Sequence, residues 1–487
     1  MRLPRDLPEP GGVGRREGSA TSPFLREHGA ARWDSVRYAI GSSAVSAMRL
    51  VTALCDPLPG LDIERDWAAA PRLWGHSLHA LCSYVGSFPP SLAHALICRF
   101  SRPGDVVADP FAGRGTVPLE ARIEGRIGIG GDLNPLADLL TRAKTVAVSP
   151  EAIVSRFAQL RHRWGVEGAY DADFDDVVLR VADEDGLEIA LAFHPVTLGA
   201  LIWLRSNLRR GDPIDDFLLA CLAGVLHGPG DAFLTDVMSN ALSRSRLSVR
   251  ANVLARGRLA PRREVFGVLG RKLNRVLADG MPLTHGVALN GDARTFGLRS
   301  REWLRSRALP GARLVVTSPP YLGVLRYGQF NWLRLWLIGS DATAVDNTLA
   351  EHRVGKYAEF MSQVLDGLRA CLAPDAVIAM VLGDVRLIRG HAVGGPPLAE
   401  VVWEMAAAPS GYRLVGVITD RVTADRKVTK MWGPLAGAAT RGETILVLAT
   451  GSAGYRRARA AADLPVPWPD RSSIQRRSTA GLRTFSV

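Results

Sequence analysis

Seven short β-branched runs, at 105–108, 126–130, 286–290, 313–317, 376–382, 413–419 and 444–449, constrain this chain more than any other feature of it. Most are continuously apolar rather than alternating, the pattern of strands covered on both faces. Helical spacing fills several of the gaps, at 116–124, 136–143, 356–372 and 398–408. Strands alternating with helices predict an α/β fold, a doubly wound and mostly parallel sheet. The last two runs have no clear helix between them, which predicts an antiparallel pair at the edge. At 487 residues the chain is too long for one simple core. Residues 150–284 supply the excess: they open on Ser149-Pro150-Glu151, a helix start, and read as a mostly helical insertion between the second and third strands. The expected organisation is a basic disordered segment at 1–47, a cofactor-binding first part at 48–149, the insertion at 150–284, a second part at 285–452 and a basic tail at 453–487. Met48 is an alternative start to Met1.

Composition narrows the class of partner. A hydrophobic fraction of 47% with 22% charged residues is that of an ordinary soluble protein. Sixty basic against 48 acidic residues leave a net charge of +12, which points to a polyanion. No apolar run of about 18 residues is free of charge, so no membrane span is expected. Cys55, Cys82, Cys98, Cys221 and Cys371 lack C-x-x-C spacing. That argues against a structural zinc site and a disulfide framework, and no metal is expected. With no apolar signal segment near the start, the expected compartment is the cytoplasm. Residues 244–275 hold ten Lys or Arg and one acid, Glu264, a run suited either to solvent or to phosphate.

The sharpest local signal follows the first run: Asp109-Pro110-Phe111-Ala112-Gly113-Arg114-Gly115-Thr116. A strand that turns through two glycines into a helix brings backbone N–H groups close to a ligand, with Thr116 placed to begin the helix. The second run ends on Asp132, where an acid can accept from both ribose hydroxyls of a nucleoside. A triphosphate loop needs Gly-Lys-Ser/Thr, which is absent. A dinucleotide fingerprint wants a third glycine where Pro118 stands. A cofactor without pyrophosphate is favoured, and S-adenosylmethionine fits, since its sulfonium and ammonium are attracted to carboxylates such as Asp109. Asp292, after the third run, is a candidate acceptor for the adenine amino group.

The fourth run ends in Thr317-Ser318-Pro319-Pro320-Tyr321. Two prolines fix φ, remove two donors and leave carbonyls projecting where parallel sheets bind ligands. With both turns in place, the chain resembles the amino-group DNA methyltransferases, which act on cytosine N4 or adenine N6. The segment Tyr84-Val85-Gly86-Ser87-Phe88-Pro89-Pro90 is similar to that family's flanking cofactor segment.

The resemblance implies a class I, Rossmann-like methyltransferase sheet of seven strands. It implies S-adenosylmethionine held by Phe88, Pro89, Asp109, Pro110, Phe111, Gly113, Gly115, Thr116, Asp132 and Asp292, with Ser318, Pro319, Pro320 and Tyr321 as the reacting turn. It implies double-stranded DNA as partner, a flipped base, and compatibility with a restriction endonuclease partner. Ser before Pro-Pro leans toward cytosine N4. Carbon-5 chemistry needs a nucleophilic Cys, usually after Pro, and no Pro-Cys pair exists. Two other readings stay open: a structured-RNA guanine-N2 methyltransferase, and a catalytically silent DNA-binding protein that kept the fold. The large insertion before the third strand departs from the family's familiar arrangements, so target recognition by 150–284 is an expectation without a motif behind it. Arg426–440 is another loop expected near DNA.

Overall fold

A computed structural model describes residues 58–468 apart from 64, 71–73, 85, 87–88, 168–173, 239–242, 244, 258–259, 321–325, 350–353, 386, 389–390, 393–396 and 421–439. Phe88, Tyr321, the segment 1–47, nearly all of the 426–440 loop and the tail beyond 468 lie outside the described residues. The strands are β1 Val106–Asp109, β2 Ile127–Asp132, β3 Gly286–Asn290, β4 Ala312–Thr317, β5 Leu372–Val385, β6 Arg413–Asp420 and β7 Thr440–Ala449. They form one sheet in the order β3-β2-β1-β4-β5-β7-β6. β1 to β5 pair in parallel, and β7 runs antiparallel to both β5 and β6. This is the class I methyltransferase sheet, with the reversed strand β7 inserted between β5 and the edge strand β6.

The principal helices, in chain order, are α1 Pro90–Phe100, α2 Thr116–Ile123, α3 Pro135–Thr145, α4 Pro150–Glu167, α5 Pro195–Asn207, α6 Pro213–Val225, α7 Arg246–Arg256, α8 Val265–Val276, α9 Phe296–Arg305, α10 Val354–Leu368 and α11 Ser452–Ala462. Continuous apolar strands are explained by cover on both faces. Leu92, Leu96 and Phe100 of α1 pack with Val107, Leu314 and Val316 on one side. Phe296, Met361 and Leu365 pack with Val106, Ala108 and Val315 on the other. Each such side chain, fully buried, contributes roughly 1.5–3 kcal/mol. The sheet is gripped closely where it matters for the site: a Cβ on Gly128 of β2 would lie 2.2 Å from the Pro118 carbonyl of α2.

Two boundaries differ from expectation. The helix expected to reach 372 stops at Leu368, and β5 begins at Leu372 rather than 376. The cause is tertiary: the Ala312 N–H bonds the Cys371 carbonyl at 2.8 Å, drawing that backbone into the ladder with β4. The stretch expected as one helix at 398–408 is α-helical over Leu398–Val402 and passes into a wider π turn over Trp403–Ala407.

Between β2 and β3 the chain is helical, from α4 to α8. Phe157, Leu201, Phe217, Phe266 and Trp336 belong to its core. This layer is bound to the rest of the fold by polar as well as apolar contacts. Arg142 Nε of α3 pairs with Asp216 of α6 at 2.9 Å, and buried Lys272 donates to the Ala80 carbonyl at 2.6 Å. Residues Leu58–Val487 form one compact unit. Among the described residues no helix is long and apolar enough to cross a membrane.

Candidate active site

The chain order reverses direction across the sheet between β1 and β4, the switch point where open parallel sheets bind ligands beyond their carboxyl ends. Both turns singled out in the sequence leave the sheet there. Val107 pairs with Leu314 and Ala108 with Val315, so Asp109 and Thr317 end neighbouring strands. Their side chains meet: Thr317 Oγ1 donates to Asp109 Oδ1 at 2.6 Å in a buried bond. The Phe111 N–H donates to the same oxygen at 3.0 Å. The glycine turn and the proline turn are therefore fastened at their roots.

The turn itself requires its glycines. Gly113 and Gly115 have φ of 52° and 73°, and a Cβ on Gly115 would sit 3.0 Å from Thr141 Cα. Thr116 then opens α2. At the end of β2, Asp132 accepts from the Gly113 N–H and the Asn134 N–H, each at 2.9 Å. Burial pushes the Asp109 carboxyl up to about 7, with the negative charge of Asp132 adding to it against the bonds from Thr317 and Phe111. Burial likewise pushes Asp132 up to about 6, against backbone donors. Neither has an ion-pair partner among the described residues.

Tyr84, from the flanking segment, and Asn134, Lys144 and Tyr327, which were not singled out, complete the site. Asn134 caps α3 through the Leu136 N–H and donates Nδ2 to the Tyr84 hydroxyl at 2.8 Å. The Tyr84 ring stacks on Tyr327, centroids 6.1 Å apart, beside Gly113. Lys144, fully buried, donates to the Arg114 carbonyl at 2.5 Å and holds the turn from beneath. Asn134-Pro135 is a helix-start signature visible in the sequence; the Tyr84 and Tyr327 pairing has no local signal.

The remaining candidates are distributed as follows. Ser318 and Pro320 are half-buried and Pro319 is buried, directly after β4. Pro110 is buried, and Phe111 approaches Phe360 with centroids 5.9 Å apart. Pro89 is exposed and caps α1. Asp292 follows β3, where its two oxygens are taken by the Arg294 guanidinium, at 3.0 Å to Nε and 2.5 Å to Nη2. The Arg294 bond holds its carboxyl below the usual range.

The residues present fit S-adenosylmethionine, the methyl donor of this fold. Buried Asp109 and half-buried Asp132, without a cationic partner among the described residues, face the glycine turn, a setting that a sulfonium and an ammonium relieve.

A family model described as DNA methylase matches residues 67–137. The chain is 47% identical over 53 residues to the Type II methyltransferase M.XycI of Xanthomonas campestris pv. cyanopsidis, covering 11% of this chain and 18% of that one. It is 24% identical over 161 residues to the ribosomal protein L11 methyltransferase of Cupriavidus metallidurans, covering 32% and 47%. The chain thus spans less than half the length of these curated relatives. The solved rRNA methyltransferase aviRa of Streptomyces viridochromogenes superposes over 78% of this chain and 94% of its own at 13% identity, with a TM-score of 0.30, too low to carry an argument. The matched stretch takes in α1, β1, the glycine turn, α2 and β2. Over that stretch the chain is similar to the amino-group DNA methyltransferases.

Proposed function

We propose that this protein transfers a methyl group from S-adenosylmethionine to the exocyclic amine of a DNA base held at the Ser318-Pro319-Pro320-Tyr321 turn. The observation that carries the reading is the 2.6 Å bond between Thr317 and Asp109, which puts the donor turn and the acceptor turn in one place. When bound, the cofactor supplies an activated methyl group for in-line displacement. The chain's own work is positioning. An exocyclic amine is a poor nucleophile because its lone pair is delocalised into the ring. The Ser318 hydroxyl and the Pro319 carbonyl accept its N–H bonds and draw the nitrogen toward tetrahedral geometry, which frees the lone pair for attack. Tyr321 stacks on the base. Such a base is reached only outside the duplex, so the enzyme flips it.

Cytosine N4 is the favoured acceptor, on the serine before Pro-Pro, with adenine N6 second. Double-stranded DNA is the expected partner. The basic run at 244–275 divides for this purpose: Arg250 is committed to Glu188 at 2.6 Å and Lys272 is buried, while Arg262 and Arg275 are exposed and available to phosphate. The relatives' names include a ribosomal-protein methyltransferase, so acceptors must be compared directly. Incubation with methyl-labelled cofactor and, in parallel, duplex DNA, ribosomal RNA and ribosomal protein is expected to label DNA. Label entering only RNA or protein would overturn the proposal.

A further inference from the structure

A hydroxyl near the start of α10 is buried and unpaired. Tyr357 is 3% exposed, and its Oη has no hydrogen-bond partner among the described residues. Tyr412, in the same core, does find one, donating to the Leu365 carbonyl at 2.7 Å. Buried polar atoms are so regularly paired that an exception calls for a physical reason.

The topology puts this tyrosine at the methyl-transfer site. α10 ends at Leu368, just before the Cys371 carbonyl accepts from Ala312 at the amino end of β4. Its 15 residues rise about 22 Å, close to the length of a strand such as β4. The start of α10 therefore lies at the carboxyl end of the sheet, where Thr317 and Asp109 stand. Phe360, one turn on from Tyr357, meets Phe111 of the glycine turn with centroids 5.9 Å apart. Tyr357 shares its core with Val315 of β4 and with Met380 of β5, the register partner of Thr317. Burial, and then the neighbouring Tyr327, push the Tyr357 hydroxyl above its ordinary value, so it stays protonated and able to donate.

We infer that Tyr357 is a base-binding residue, whose hydroxyl donates to the ring nitrogen adjoining the exocyclic amine of the target base. The inference rests on the methyl-transfer reading and adds a recognition contact to it. In cytosine the ring atom is N3 and in adenine N1, and both are acceptors. In the duplex each is taken by the complementary strand, so this contact forms only with a base outside the stack. Ser318 and Pro319 hold the hydrogens of the amine, and Tyr357 fixes the rotation of the ring about them. The substrate thus completes a hydrogen bond that no group of the chain provides.

Tyr357→Phe removes the oxygen alone and tests this. The variant is expected to melt at or above the wild-type temperature and to bind S-adenosylmethionine within about twofold of wild type by calorimetry. Its kcat/KM for methylation of unmethylated genomic DNA is expected to fall about 2- to 12-fold, the worth of one neutral hydrogen bond. With a duplex whose target base carries carbon in place of that ring nitrogen, the two proteins are expected to perform alike. An unchanged kcat/KM in Tyr357→Phe overturns the contact and leaves the methyl-transfer reading standing. So does a loss confined to cofactor affinity, or a fall in melting temperature that reveals a partner within the chain. A wild-type chain that labels no DNA defeats the reading itself, and the contact with it.

Discussion

Asp109 and Glu120 are buried to the same degree, each 2% exposed, on the same half of the molecule, yet their carboxyls are driven in opposite directions. Burial raises both. At Asp109 nothing cationic answers it, and the carboxyl is pushed up to about 7. At Glu120, hydrogen bonds from His79 and His94 overrule burial and hold it down to about 2. Burial alone therefore does not mark a functional acid; the neighbours decide. Glu120 sits in a cluster that has its positive partner built in, and it serves structure. Asp109 and Asp132 have no such partner among the described residues, the setting expected of a site that receives a cationic cofactor.

The largest way to break this contrast is Thr317→Val. The substitution leaves a buried Asp109 oxygen short of its hydroxyl donor, a cost of about 1–3 kcal/mol, which corresponds to roughly 5- to 150-fold in cofactor affinity if Asp109 is a binding group. Calorimetric titration with S-adenosylmethionine checks it. An affinity within twofold of wild type, in a folded variant, would mean that the two turns are neighbours without being coupled. The equivalent loss at Glu120 is expected to leave cofactor affinity alone.

A smaller effect is expected from pH. The folded Asp109 and Asp132 values, about 7 and about 6, lie above the ordinary 3.8. Between about 4 and 7 the folded chain without cofactor holds more protons than the unfolded one, so its stability falls as pH rises through that window. A cationic cofactor prefers the ionised carboxylates, so its affinity rises over the same window, by about tenfold or more from pH 5 to pH 8. Glu120 behaves oppositely: its contribution is present above 4.5 and is lost only as pH falls through about 2. Melting curves with and without cofactor across that range are expected to converge toward low pH. Curves that stay equally separated would mean that the two aspartates do not receive the cofactor's charge.

What could be read from the residues follows the same division between local and distant causes. All seven strands of the sheet were legible, because a β-branched run with both faces covered is a local pattern. The glycine and proline turns were legible because each sits on a strand end. The end of α10 was not, since Cys371 and Leu372 read as helix until pairing with β4 extends them. The Tyr84–Tyr327 stack and the Asn134–Tyr84 bond join residues far apart in sequence with no shared motif. Arg294 covering Asp292 is a loop contact that spacing does not reveal.

Modification-sensitive sequencing of DNA from cells expressing the wild-type chain, beside cells expressing Tyr321→Ala, tests most directly whether the two turns act as one methyl-transfer site. The expected result is methylated exocyclic amine, cytosine N4 before adenine N6, at a defined sequence context in the first culture and its absence from the second. An unmodified genome in the first culture, or the same mark at the same level in both, would contradict it.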